Sequence, residues 1–282
     1  MIPLELVLLC SNEAMCLLWM LAKHARWCTL SQARRGTGAQ PLTSASSSVS
    51  IHVLQEDDDY FFISKPGGLS VVGEAATSTS FHGLVTEFAR MHFGYHPNLL
   101  HRLDKCTSGL MVYAKNDEAG RHYLRQQDWV RHGSRVTKEY LAVVQGCPAE
   151  PKAGRVDGEI FSRGRKHSAP FVIHAAGTKL DHARHGRPVS TEYTTLRSCV
   201  HEKLGEVSGL SLRLLTGRKH QLRATCQYLG CPIVGDTHYH AQRHPAVLLH
   251  SHRIAFMGRS GRSYDVSAPV PRTWADLAGL VA

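Results

Sequence analysis

Between His101 and Lys105 the chain places an imidazole, a guanidinium, a carboxylate and an ammonium. Cys106-Thr107-Ser108-Gly109 then carries it into the apolar run Leu110-Met111-Val112-Tyr113-Ala114. A strand is expected to begin at Ser108 or Gly109, which leaves Asp104 on the loop that enters it, where the backbone is free to aim side chains. A carboxylate among cations is suited to nucleophilic or acid–base work, yet the same composition describes a solvated charged loop with a local ion pair. What separates the two readings is the company this stretch keeps elsewhere in the chain.

Three other stretches stand out: Lys65-Pro66-Gly67-Gly68-Leu69, Lys138-Glu139-Tyr140-Leu141-Ala142, and Gly217-Arg218-Lys219-His220-Gln221-Leu222-Arg223 with its sequel Gly230–Asp236. Proline fixes one dihedral and two glycines permit positive φ, so the first is a shaped loop. Arg223 lies 119 positions after Asp104, and only the fold can bring them together.

The elements that must position these groups can be read from pattern. Ile51–Leu54 and Tyr60–Ile63 form a hairpin across the acidic turn Glu56–Asp59, and Ser80 caps a helix running from Phe81 to His92. After the strand Leu110–Lys115, Asn116 caps a helix from Asp117 to about Arg131, stopped by Gly133. Thr137–Val144 is a strand. Residues 146–188 read as loops and short strands carrying part of a basic surface at Arg163, Arg165, Lys166, His167, Lys179, Arg184 and Arg187. Thr191–Val200 and Val207–Leu215 are strands, and a helix begins within Thr216–Arg223 and continues to about Leu229. Leu248–Phe256 and Tyr264–Ala268 are further strands before a closing helix, Thr273–Leu280. Strands outnumber helices and short turns join neighbours, so the fold class expected is α+β, a largely antiparallel mixed sheet with flanking helices. Nothing matches GxGxxG or GxxxxGK[ST], so no nucleotide cofactor site is visible.

With 33 basic and 23 acidic residues the 282-residue chain carries +10. Four basic and two acidic residues precede Ser50, so the body retains +8 and the basicity is no tail effect. That balance favours a polyanionic partner. The eight cysteines are scattered without a CxxC pair and read as reduced thiols, with no zinc site. His238, His240 and His244 are loosely spaced like metal ligands but read as a surface loop. Residues 1–50 are assigned to an amino-terminal extension and 51–282 to one catalytic domain. The apolar stretch Ile2–Ala22 is broken by Glu5 and Glu13 and is a poor membrane span. Met15 to Gln55 contains no acid while Lys23, Arg26, Arg34 and Arg35 appear among Ser and Thr, the composition of a mitochondrial transit peptide. A disordered extension on a cytoplasmic or nuclear protein is the alternative.

In this order the four stretches resemble the RluA-type pseudouridine synthases, over roughly residues 51–270. The signal is strongest at His101–Gly109, which reads HRLDKCTSG. The resemblance implies isomerisation of uridine in RNA without a cofactor or metal. Asp104 matches the aspartate that attacks the target nucleotide, letting uracil detach, turn and reattach through carbon. Arg223 matches its ion-pair partner, expected to keep the Asp104 pKa low. Tyr140 matches the tyrosine that stacks on the flipped base and helps remove the ring proton, a role that needs a tuned pKa. Arg102 matches the arginine that enters the helical stack in place of the extruded base. Leu222, Lys65 and His220 are further candidates for contact with substrate. Lys105, Lys219 and Cys226 stand where arginine, threonine and histidine are common, which bears on substrate preference more than on chemistry. No separate small basic module is recognisable before residue 51, so RNA binding is expected to rest on this domain or on a protein partner. Two competing readings are a catalytically silent RNA-binding or folding factor, and a hydrolase using Asp104 with a second carboxylate.

Overall fold

The computed structural model describes residues 26–30, 49–73, 80–127, 135–149, 151–162, 171–175 and 186–281. In chain order these form β1 (Arg26–Leu30), β2 (Val49–Glu56), β3 (Tyr60–Lys65), α1 (Phe81–Phe93), β4 (Asn98–Leu99), β5 (Ser108–Ala114), α2 (Asp117–Gln127), β6 (Thr137–Gln145), β7 (Ala153–Ser162) and β8 (Phe171–His174). They continue as β9 (Arg187–His201), β10 (Gly205–Leu214), α3 (Gln221–Tyr228), β11 (Leu249–Met257) and β12 (Ser263–Ser267), with 3-10 segments at Thr237–Tyr239 and Arg272–Leu280.

One mixed sheet runs β1-β2-β3-β5-β11-β6-β10-β9-β7-β8, with β12 on β11 and β4 on β5. Every pairing between the named strands is antiparallel except β5 with β11, which is parallel and short. The apolar runs of β3 and β5 do not alternate because both faces of the sheet are covered. Phe61, Ile63, Met111 and Tyr113 face a core shared with α1 and α3, whereas Tyr60, Phe62, Leu110 and Val112 face a second core against α2. The α+β expectation is met.

Local chemistry sets the helix starts. Ser80 Oγ accepts from the Gly83 amide at 3.1 Å, and Gly94 at φ 73° closes α1. Asn116 Oδ1 accepts from the Ala119 amide at 2.9 Å to open α2. The expected extension of α2 to Arg131 and the stop at Gly133 lie outside the described residues. So do Arg163, Arg165, Lys166, His167, Lys179 and Arg184; of that basic set only Arg187 is described, and it is exposed.

Three boundaries differ from those read off the sequence. β2 begins at Val49, so the division placed at residue 51 falls inside it, and β1 pairs with it antiparallel. Residues 153–162 form a continuous ten-residue strand rather than loops and short strands. The closing segment is 3-10, not α: Trp274, Leu277 and Leu280 recur every third residue and all three are buried, the period of a 3-10 helix. Among the described residues no helix is long and apolar enough to cross a membrane.

Candidate active site

The parallel joint between β5 and β11 fixes the site. Gly109 pairs with Ser251, Ser251 pairs with Tyr140 on β6, and Tyr140 pairs with Leu212 on β10. One row across four strands therefore sets the start of β5 beside Tyr140 and beside the end of β10, from which the chain turns into α3. The row needs glycine at 109. Its φ is +109°, and a Cβ there would lie 2.3 Å from the Ser251 carbonyl oxygen.

Asp104 sits on the loop five residues before Gly109, and that loop is pinned from several sides. His101 is buried and its Nε2 accepts from the Val112 amide at 3.1 Å. Burial, reinforced by the Lys138 charge, holds its pKa well below the ordinary value, so the ring is neutral and structural. The Thr107 amide donates to the Asp104 carbonyl at 3.1 Å, and the Gly68 amide to the Lys105 carbonyl at 2.8 Å. Lys65 completes the clasp. Only 1% exposed, its ammonium donates to the carbonyls of Pro66 (2.7 Å), Leu69 (2.8 Å) and Lys105 (3.3 Å). Read from the sequence as a substrate contact, Lys65 is committed here to tying two loops together. Burial pushes its pKa down to about 8, against the nearby Cys106 and Asp104.

Arg223 is brought in by α3, whose start is knitted to the sheet by the buried Gln221, a residue of the Gly217–Arg223 stretch to which the sequence assigned no role. Gln221 Oε1 accepts from Thr216 Oγ1 (2.8 Å) and the Arg218 amide (3.0 Å), while its Nε2 donates to the Ser190 carbonyl and Thr191 Oγ1. Arg223 does face Asp104, but at 3.8 Å from Nη1. Its closest partner is Asp236, in the loop after α3: Nε donates to Oδ2 at 2.6 Å and Nη2 to Oδ1 at 2.7 Å. The Tyr239 ring lies under the guanidinium, 5.0 Å from Cζ. Asp236 is 1% exposed, and sequence reading missed it as a functional residue. The available signal was an acid following the apolar Ile233-Val234, since a buried carboxylate must be paired.

The charge balance at Asp104 corrects one expectation. Burial raises its pKa, and Asp236 adds to that; Arg223, Lys219 and Lys65 oppose it without reversing the direction. Arg223 cannot hold the carboxyl low because its nearest hydrogen bonds are spent on Asp236. Tyr140 is 5% exposed, and burial raises its pKa, with the Ser251 hydroxyl opposing and the Asp104 charge adding to the rise. It is a phenol at neutral pH, suited to stacking and donating rather than to acting as a ready base.

The remaining candidates divide. Leu222 is 5% exposed and packs in the main core at the site's edge. Arg102 is exposed and makes no ion pair or hydrogen bond among the described residues. His220 sits at φ 57° just before α3 with no side-chain cap bond, its ring edge-on to Phe171 at 5.4 Å and Nδ1 3.4 Å from the Tyr239 hydroxyl. Asp236 is an acid close enough to act on Asp104 electrostatically, as a hydrolase would require of a second carboxylate, but Arg223 occupies both its oxygens. Among the described residues no group of three His, Cys, Asp or Glu side chains could hold a metal, the His238–His244 loop included.

Residues 59–228 match a sequence family described as RNA pseudouridylate synthase. An uncharacterised RNA pseudouridine synthase of Chloroflexus aurantiacus is 36% identical over 180 residues, covering 62% of this chain and 50% of that protein. RNA pseudouridine synthase 4, mitochondrial, of Arabidopsis thaliana is 32% identical over 69% of this chain and 42% of its own length. The dual-specificity RNA pseudouridine synthase RluA of Vibrio vulnificus is 33% identical over 66% and 68% respectively. This chain thus spans only about half the length of the first two. The solved structure of human RNA Pseudouridylate Synthase Domain Containing 1 superposes with a TM-score of 0.64 at 23% identity, over 81% of this chain and 86% of that one.

Proposed function

Because the chain belongs to the RNA pseudouridylate synthase family, RluA type, we propose that it isomerises uridine in RNA to pseudouridine with Asp104 as nucleophile. The observation that carries this reading is the disposition of Asp104. Its carboxylate lies on a loop pinned by His101, Lys65 and Gly68, 3.8 Å from an arginine that Asp236 holds rigid. Ionised, such a carboxylate is poorly solvated and therefore nucleophilic, and Arg223 fixes where it points. The carboxylate takes the ribose carbon as the bond to uracil N1 breaks; uracil turns, its carbon-5 displaces the carboxylate, and carbon-5 loses a proton while N1 gains one, so no cofactor or co-reactant is consumed. Tyr140 supports the base as a neutral phenol. Arg102, exposed two residues before Asp104, fills the gap left by the extruded base, whose unstacking costs about a few kcal/mol.

Residues 1–50 are proposed to direct the protein to mitochondria. The acid-free, basic composition from Met15 to Gln55 supports this, as does the mitochondrial designation of the Arabidopsis relative. A fluorescent protein carrying residues 1–50 is expected in mitochondria; diffuse fluorescence contradicts the assignment.

Mapping pseudouridine in total RNA from cells lacking the gene tests the activity and names the substrate. One or more sites should vanish, return with the wild-type gene and stay absent with Asp104→Asn. Sites restored equally by both would show a scaffold that binds RNA without catalysing.

A further inference from the structure

Beside the Arg223 end of the site the surface carries charge and aromatic area that the proposed reaction does not use. Arg218 and Lys219 stand on the loop between β10 and α3. Arg218 leans on the start of β9, its Nε donating to the Pro188 carbonyl at 3.5 Å. Burial and the charge of Arg187 both press its pKa down, so two guanidiniums are crowded together there. Lys219 is exposed, its ammonium 6.0 Å from the centre of the Phe171 ring. Its charge reaches Asp104 and His220. Phe171 meets His220 edge-on at 5.4 Å, and His220 meets His238 at 5.9 Å. Burial and the surrounding cations push His220 down to about 3, leaving a neutral ring. Phe171, His220 and His238 are all half-buried.

These groups make an aromatic shelf with cations along one rim, continuous with the Asp104 site. A phosphate set between neighbouring cations gains from their combined charge. Aromatic faces beside cations are the combination that holds single-stranded nucleic acid, since every base has a face to stack.

We infer that a nucleotide adjacent to the target uridine lies on this shelf, its phosphate against Lys219 and Arg218 and its base against Phe171. These three residues then influence which neighbours of a uridine are accepted. The inference rests on the reading that RNA uridine is the substrate.

The test is binding of a labelled single-stranded oligouridylate to the full chain across a range of salt. Lys219→Ala and Arg218→Ala should each flatten the log–log salt slope, by about 0.7 when the two are combined, the contribution of one phosphate on a single strand. Phe171→Leu should keep the wild-type slope and weaken binding about 5- to 150-fold at every salt, the effect of losing one stacked base. Phe171→Trp should restore affinity, which a merely structural Phe171 would not allow. Wild-type slopes in both cation variants, or wild-type affinity in Phe171→Leu, overturn the shelf. Tritium release from ring-labelled RNA, measured alongside, separates the two failures. Release with unaltered binding by the variants overturns the shelf alone. Altered binding without release overturns the isomerase reading and supports the shelf as an RNA site.

Discussion

Asp104 and Asp236 both face Arg223, yet their replacement by asparagine should move stability in opposite directions. Asp236 is 1% exposed and takes two hydrogen bonds from the guanidinium, at 2.6 and 2.7 Å. Asparagine keeps one acceptor, turns an NH2 group against an N–H donor and leaves a buried cation without its closest counter-ion. Breaking a buried pair from one side costs about 3–5 kcal/mol. At about 2–4 °C per kcal/mol for a domain of this size, Tm should fall by about 6–20 °C. Asp104 is different: its side chain is 24% exposed, 3.8 Å from Arg223, and its carboxylate accepts no hydrogen bond among the described residues. Its folded pKa is raised above the unfolded value, so its charge opposes folding at neutral pH. That cost is absent below the unfolded pKa and present in full above the folded one. Asp104→Asn should therefore melt at or above the wild-type temperature at pH 7, and the difference should vanish near pH 3. Circular dichroism melts of the three proteins decide. Equal losses in both variants, or a wild-type melt for Asp236→Asn, would refute the division of labour between a structural and a reactive carboxylate.

Two more outcomes follow from burial and exposure. Lys138 is 9% exposed with its ammonium 5.9 Å from the Tyr123 ring, and burial lowers its pKa to about 8 from 10.5. The unfolded chain then binds more protons than the folded one across that interval, so stability should rise from about pH 8 towards 10, Lys65 contributing likewise. Lys138→Met should remove up to about 3 kcal/mol of penalty at pH 7 and shrink the rise seen by urea titration between pH 7 and 9.5; an undiminished rise would show that Lys138 does not cause it. Arg102→Ala should leave stability within about 0.5 kcal/mol while kcat/KM falls about 100-fold, as base extrusion loses its support; wild-type kcat/KM would remove Arg102 from the site.

The sequence made the local elements and the Asp104 loop readable because their signals are short-range. Ser80 and Asn116 announce α1 and α2 by capping, and the run after Gly109 announces β5. The pairing of Asp104 with Arg223 was available only through family resemblance, since the parallel β5–β11 joint that brings them together has no local signature. β7 was obscured by its glycines. Gly154 and Gly158 stand where a Cβ would meet the Tyr193 hydroxyl at 2.8 Å and the His174 carbonyl at 2.4 Å, so close packing replaced apolar side chains that would have marked a strand. The pKa of Asp104 was misjudged because its burial, and to a lesser degree the charge of Asp236, 132 positions away, are properties of the fold. Lys65 looked available for substrate because nothing in a KPGGL loop reveals that three carbonyls will close around its ammonium.

The central claim is that Asp104 attacks uridine in RNA. Purified protein incubated with RNA labelled with tritium at uridine carbon-5 tests it most directly, because that hydrogen is lost only when the base is rejoined through carbon. Wild-type protein should release tritium, and Asp104→Asn, folded and at least as stable, should release none. Release by Asp104→Asn at the wild-type rate, or none from the wild type on RNA from cells lacking the gene, would contradict the account.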